Sequence, residues 1–447
     1  MVFIKYHFIM QRLSVVCTFL CLFFVANVSA QEAANLRNDT LEKSVLQKTF
    51  SRLTVGGYGE AVYNYNFFSD NMFRYSHAKD YTDSKGHGRV DLPHAVIMLG
   101  YDFGRGWSVG MEVEFEHGGT ESAVEIEPEE TGEFEKEIER GGEVALEQFW
   151  VEKSFRPWLK LRMGHMVVPV GMTNNNHTPN MFFNIYRPEG ENTIMPCTWH
   201  ETGISLWGHF GKNQSWRYEV MALPALNSNM FTESGWVHNG SASAYEFKVA
   251  NNLAAAARID NTSIPGLRLS LSGYVGNSFN NDIVTNQSKK YENVKGTVFI
   301  GAFDFAYRHK WFVVRGNADY GHLSDAAAIS AHNKSQNHSS TSPYPHTMVG
   351  EAAYAMGLEA GVNVLANSQR NRKLFVFGRF DWYDSYKPAV DLVDIDWCER
   401  KVLSGGINYY PLPEIAIKAE GGVRLLADQY NNEPWVAVGI TWCGFFK

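Results

Sequence analysis

From about residue 52 onward, apolar and polar residues alternate along one run after another, the period-two pattern of a strand with two unlike faces. Residues Phe312, Val314, Gly316, Ala318 and Tyr320 form one lane, and Arg315, Asn317 and Asp319 occupy the other. Ile415, Ile417, Ala419, Gly421, Val423 and Leu425 likewise oppose Lys418, Glu420 and Arg424. Leu267, Leu269, Leu271, Gly273 and Val275 oppose Arg268, Ser270 and Ser272, and Trp107, Val109, Met111, Val113 and Phe115 oppose Glu112, Glu114 and Glu116. Each run ends in a tight turn or a long link. The pattern predicts strands near 52–65, 89–103, 106–117, 143–155, 158–168, 198–210, 214–225, 244–259, 267–279, 296–308, 311–323, 353–365, 373–384, 400–410, 414–426 and 434–446.

The links between these strands alternate in length. Short ones fall at 104–105, 156–157, 211–213, 260–266, 309–310, 366–372 and 411–413. Long ones fall at 66–88, 118–142, 169–197, 226–243, 280–295, 324–352 and 385–399, with a shorter one at 427–433. Tight turns on one side and long loops on the other are the signature of a transmembrane β-barrel. The predicted fold is therefore all-β, an antiparallel up-and-down barrel of sixteen strands with both ends on the short-turn side. Charge on the lipid face costs roughly 2–4 kcal/mol near the midplane, so the charged lanes are assigned to the lumen. The last strand carries Val436, Val438, Ile440, Trp442, Gly444 and Phe446 in one lane, the kind of aromatic-ended strand that barrel-insertion machinery reads.

Composition adds compartment. Of 447 residues, 45% are hydrophobic and 14% aromatic, yet the only long apolar run is Leu13 to Val28. It follows Lys5 and Arg12 and ends Val28-Ser29-Ala30, which predicts a secretory signal over 1–30, cleaved after Ala30. Residues 31–50 read as a short periplasmic segment, and 51–447 as the barrel domain. The formal charge of −8 becomes more negative once Lys5 and Arg12 leave, which gives no reason to expect nucleic-acid binding. Cys197, Cys398 and Cys443 remain, too widely spaced for a zinc or disulfide framework. No cofactor, metal site or catalytic group is expected.

Sixteen strands leave a channel that wall side chains cannot fill. The wall candidates are Arg162, Arg217, Arg268, Arg315, Asp319, Arg379, Lys418, Glu420 and Arg424, with Lys248 and Glu112 among the other charges assigned to the lumen. The link 169–197 is rich in apolar residues (Met172, Met181, Phe182, Phe183, Ile185, Tyr186, Ile194 and Met195), so it should pack against a wall and not float in water. Folded inward, it would narrow the pore, with His177, Arg187, Glu189 and Glu191 as its polar contacts. From Glu112 to Glu143 there are thirteen glutamates against Lys136 and Arg140. That density reads as a solvated loop, or as a site for cations bridging lipopolysaccharide. His322, His332, His338 and His346 read as solvated.

Several short stretches resemble the porins of Bacteroidetes-type bacteria and are similar to the phosphate-selective porin O and P family. They are Gly57-Tyr58-Gly59-Glu60, His94 to Phe103, Glu112 to Glu116, Glu147 to Val151, Leu161 to Gly171 and Pro196 to Gly203. The resemblance implies a homotrimeric outer-membrane pore, in contact with lipid and lipopolysaccharide, passing small hydrophilic solutes or ions. Phosphate-like anions fall within that class, but the acidic stretch and the mixed wall charges argue against phosphate selectivity. A transporter for an oligosaccharide or other nutrient, an outer-membrane hydrolase and an adhesive barrel are the rival readings.

Overall fold

The computed structural model describes residues 51–128, 134–336, 344–368, 372–390 and 392–446. The predicted signal at 1–30 and the segment 31–50 lie outside the described residues. Sixteen antiparallel strands, each paired with its neighbour in sequence, form one closed up-and-down barrel. Closure is made by the first strand, Leu53–Asn66, against the last, Glu433–Phe445, in register from Gly56↔Phe445 to Asn66↔Trp435. The second strand is broken into His87–Asp91 and His94–Gly104 by Leu92-Pro93, because proline brings no N–H to the ladder.

The lanes read from the sequence are the lanes observed. Arg315, Asn317, Asp319, Lys418 and Glu420 are buried within the barrel, whereas Phe299, Leu271, Ile417 and Val438 stand exposed on its outer face. Near the short turns that face carries Trp107, Trp158, Phe210, Trp216, Trp311 and Phe312. An aromatic girdle of this kind belongs at a membrane interface.

Three expectations need correction. The strands Trp107–Pro128 and Phe134–Arg156 run on through most of the supposed loop 118–142, paired from Glu121↔Gly141 to Pro128↔Phe134. Alternation continues through Ala123-Val124-Glu125-Ile126-Glu127, and it outweighed the charge density. The strand expected from 244 begins only at Leu253. Lys248 is accordingly not on the wall strand, and it pairs instead with Glu201 at 3.0 Å.

Third, the long links are not simply polar tethers. Phe231, Trp236, Val237, Phe279, Ile329 and Val349 are fully or almost fully buried in one cluster with wall residues such as Val298 and Ile300. His332, expected in solvent, packs edge-on to Phe279 and Tyr291 with ring centroids 5.2 Å away in each case. It lies on the helix Ala326–Ser335, whose Asn333 reaches the Ser228 carbonyl at 3.0 Å. His338 lies outside the described residues. Cys197, Cys398 and Cys443 are unbridged.

Leu271, in mid-strand on the outer face, tests the lane assignment. Leu271→Arg should destabilise the refolded barrel in lipid vesicles by roughly 2–4 kcal/mol, read from denaturant titration. Ile300→Ala, on the inner lane, should give an ordinary cavity cost without the depth dependence of a lipid-facing charge.

Candidate pore constriction

The segment 168–199 leaves the strand Leu159–Val167 and returns at His200–Phe210. Its neck is closed by Asn174. The side-chain amide of Asn174 donates to Val168 O at 2.7 Å, and its carbonyl oxygen accepts from Trp199 N at 2.5 Å. Gly171 turns the chain with φ 80°, and a Cβ there would collide with the Glu191 carboxylate. Glu191 accepts from Met172 N at 2.5 Å, Thr173 N at 2.7 Å and Thr173 Oγ1 at 2.6 Å. It therefore ties the short helix Met172–Asn175 to Glu189–Ile194, and its contacts are within the segment, not across a pore. Burial raises its pKa, against the Thr173 bonds that lower it.

The middle of the segment is held by the wall. Lys418 Nζ donates to the carbonyls of Pro179, Phe182 and Asn184 at 2.6, 3.1 and 2.7 Å. Glu420 accepts from Ile185 N at 3.0 Å and Asn184 Nδ2 at 3.1 Å. Glu359 accepts from Phe183 N at 2.9 Å, and Asn408 Nδ2 donates to Phe183 O at 2.8 Å. The Phe183 ring stacks on Phe377 at 5.3 Å beneath the Arg315 guanidinium. Gly361 faces this ring, which a Cβ would strike. Neighbouring strands thus present complementary groups to one stretch of irregular backbone, as buried N–H and C=O groups require.

The remaining candidates fall into pairs. Arg424 Nε and Tyr383 OH both donate to Glu189 at 2.6 Å, with Arg400 3.9 Å away. Burial alone would raise the Glu189 pKa, but Arg424 and Arg400 hold it below the ordinary carboxylate value. Arg315 pairs with Glu359 at 2.8 Å and Arg379 with Asp381 at 2.6 Å. Arg268 lies 3.0 Å from Asp304 and bonds Asn176 at 2.8 Å. Arg162 meets Glu152 at 2.7 Å over the Trp150 ring, and Arg217 bridges Glu219 and Asp260. Asp319 accepts from Asn317 at 2.6 Å. Arg187 lies 4.0 Å from Glu114, and His177 Nδ1 donates to Asn174 O at 2.9 Å.

Cavities remain beside the segment. One of about 250 Å³ at the long-loop end is lined by Arg74, Arg89, Arg187, Arg379, Arg400 and Arg424, together with Asp70, Glu189, Asp381, Glu420 and Glu433. Another of about 320 Å³ lies between Glu114, His165, His200 and Lys248. Near the short turns a narrow space of about 20 Å³ meets Arg268, Arg308, Arg315 and Glu359. Sequence reasoning missed Arg74 and Arg400, which sit on a link and at a strand end where lane alternation says nothing, and Arg89, central in the short strand His87–Asp91. It also missed Arg258, whose alternating lane was legible and which bonds Gly171 O at 2.9 Å and Asp304 at 2.8 Å.

No protein-family model matches the chain. An uncharacterized protein of Aquifex aeolicus is 26% identical over 393 residues, covering 87% of this chain and 79% of that protein. In structure the chain is similar to the anion-selective porin of Comamonas acidovorans, with a TM-score of 0.51 and 11% identity over 88% of this chain and 99% of that one. It is also similar to OprB of Pseudomonas putida, with a TM-score of 0.50 and 10% identity over 91% and 96%. The chain has the barrel fold of outer-membrane porins.

Lys418→Met should free the carbonyls around Phe182 at a cost of roughly 1.5–3 kcal/mol, the range for hydrogen bonds to a charged group. Limited proteolysis should then cut between 179 and 186, while the barrel keeps its heat-modifiable migration. Equal protease resistance in wild type and variant would count against the anchor.

Glu189 predicts a pH effect. Its folded-state pKa is depressed, so the anchor to Arg424 and Arg400 is complete above the ordinary carboxylate value of about 4.3 and is lost as pH falls through the depressed one. Open-channel current noise should stay flat from pH 7 to 5 and rise only below that ordinary carboxylate value. In Glu189→Gln it should be high throughout, and a transition near pH 6 would contradict the assignment.

Proposed function

We propose that the protein is an outer-membrane porin, a water-filled channel for passive diffusion of small hydrophilic solutes and ions, narrowed by the segment 168–199. The observation that carries this reading is the set of wall contacts from Lys418, Glu420, Glu359 and Asn408 to that segment, with open space left beside it. A segment that merely plugged the barrel would not need polar cavities at its edges. The constriction residues are His177, Arg187 and Glu189, with Arg424, Arg379, Arg268 and Arg315 on the facing wall. Glu191 shapes the segment from within.

Guanidinium groups outnumber carboxylates in the long-loop cavity, and Arg268, Arg308 and Arg315 meet Glu359 near the short turns. This supports a weak preference for anions inside the lumen. The glutamates that follow Glu116 in the sequence would oppose it from the long-loop side, over a Debye length of about 8 Å at physiological salt. The fold is shared with an anion-selective porin, at an identity that supports the fold and not that selectivity. Export through the signal at 1–30 and assembly as a homotrimer belong to the same proposal, the trimer resting on the resemblance alone.

Planar-bilayer recording tests the reading. Deleting 174–192 should raise single-channel conductance at least twofold while the barrel still forms, and reversal potentials in a salt gradient should show weak anion preference in the intact protein. Unchanged conductance with intact folding would remove the segment from the pore. Absence of any conductance would favour the adhesive barrel.

A further inference from the structure

At the third and fourth strands, the inward segment meets a group of carboxylates that protein contacts leave incompletely satisfied. Glu112 and Glu147 lie on paired strands, with relative exposures of 4% and 0%. A bulge brings them together. Glu112 pairs with Gln148 and Val113 with Leu146, so Glu147 is the extra residue. The usual alternation is broken there, and Glu147 and Gln148 both turn inward between the exposed Leu146 and Phe149. Bulges re-aim side chains in this way beside functional sites.

His177 approaches the pair from the segment. Its Nδ1 donates to Asn174 O, which leaves Nε2 of the neutral ring with a lone pair. That nitrogen has no hydrogen-bond partner and lies 3.5 Å from Glu147 Oε1, itself without one. Glu112 Oε1 is also unpartnered, its other oxygen accepting from Gln148. Lone pairs and carboxylate oxygens facing one another in a buried site repel unless a cation or a shared proton lies between them. Ligand atoms of the three residues fall within 4.8 Å of one another.

We propose that Glu112, Glu147 and His177 bind one divalent cation of the zinc type, tying the inward segment to the barrel wall. The donor set of one imidazole and two carboxylates suits borderline first-row ions and not potassium or sodium. Bonds of about 2.0–2.2 Å put tetrahedral ligand atoms roughly 3.3–3.6 Å apart, a range that includes the 3.5 Å between His177 Nε2 and Glu147 Oε1. Glu112 would supply the third ligand through its unpartnered Oε1, and the fourth position is left for water. The bond from His177 Nδ1 to a backbone carbonyl fixes the tautomer and ring plane that metal-bound histidines use. The site goes beyond the channel reading and does not depend on conduction.

The test uses the full-length protein in detergent, stripped with a chelator and titrated with Zn²⁺ against a chromophoric competitor. One ion should bind per chain and raise the thermal midpoint. His177→Ala and the near-isosteric Glu147→Gln should each weaken binding at least tenfold and abolish the thermal shift, with heat-modifiable migration checking that both fold. His200→Ala, which disrupts the neighbouring His165–His200 pair, should leave the affinity unchanged. Co²⁺ added to the stripped wild-type protein should give a visible d–d spectrum, a readout that needs no variant. Absence of stoichiometric binding, unaltered affinity in both variants, or a loss confined to His200→Ala would overturn the proposal.

Discussion

The interior of this barrel depends on a reciprocal need. The wall carries charges that must not face lipid, and the segment 168–199 carries backbone groups that no strand satisfies. Lys418, almost wholly buried, would be costly as an isolated ammonium. Three carbonyls of the segment take the place of water around it. Glu420 and Glu359 do the converse for the N–H groups of Ile185 and Phe183. Removing either side leaves the other unsatisfied, which makes the inward position of the segment a property of the wall as much as of the segment.

The same constraint explains why so few charges in the lumen stand alone. Arg258 and Arg268 share Asp304, while Arg379 and Arg315 each have a carboxylate within 3 Å. A paired guanidinium offers a passing ion less field than an unpaired one, so counting charges along the lanes overstates how strongly the wall discriminates. In the proposed channel, discrimination would fall to places where guanidinium groups converge. Arg424, Arg400 and Arg74 do so around Glu189 and Glu433.

How much of this was legible in the chain differs by level. The lanes were legible because the membrane imposes a period of two and a penalty on charge, both visible residue by residue. That 168–199 is no ordinary solvated loop was legible from Phe182, Phe183 and Ile185, which have no reason to be in water. Its anchors were only half legible. Lys418 and Glu420 could be placed on the inner lane, but nothing local says that they meet Asn184, more than 230 residues away in the chain. Arg74 and Arg400 escaped because links and strand ends carry no lane signal. The hairpin beyond Glu116 was missed because charge was given more weight than alternation. The packing of His332 was missed because one aromatic contact at a time leaves no periodic trace.

The bulge at Glu147 belongs to a different class of illegibility. A strict period of two over Val144 to Val151 predicts that Glu147 and Gln148 face opposite ways, with one of them in lipid. Burying a carboxylate in lipid is costly enough that a register slip is the cheaper solution. The slip puts two polar side chains inward side by side and crowds Glu147 against Glu112 and His177. A local violation of alternation that concentrates charge, where relaxing into regular pairing would expose it to lipid, needs something to offset the repulsion. The Arg187 guanidinium offsets part of it, and Nε2 of His177 is left without a hydrogen-bond partner beside Glu147.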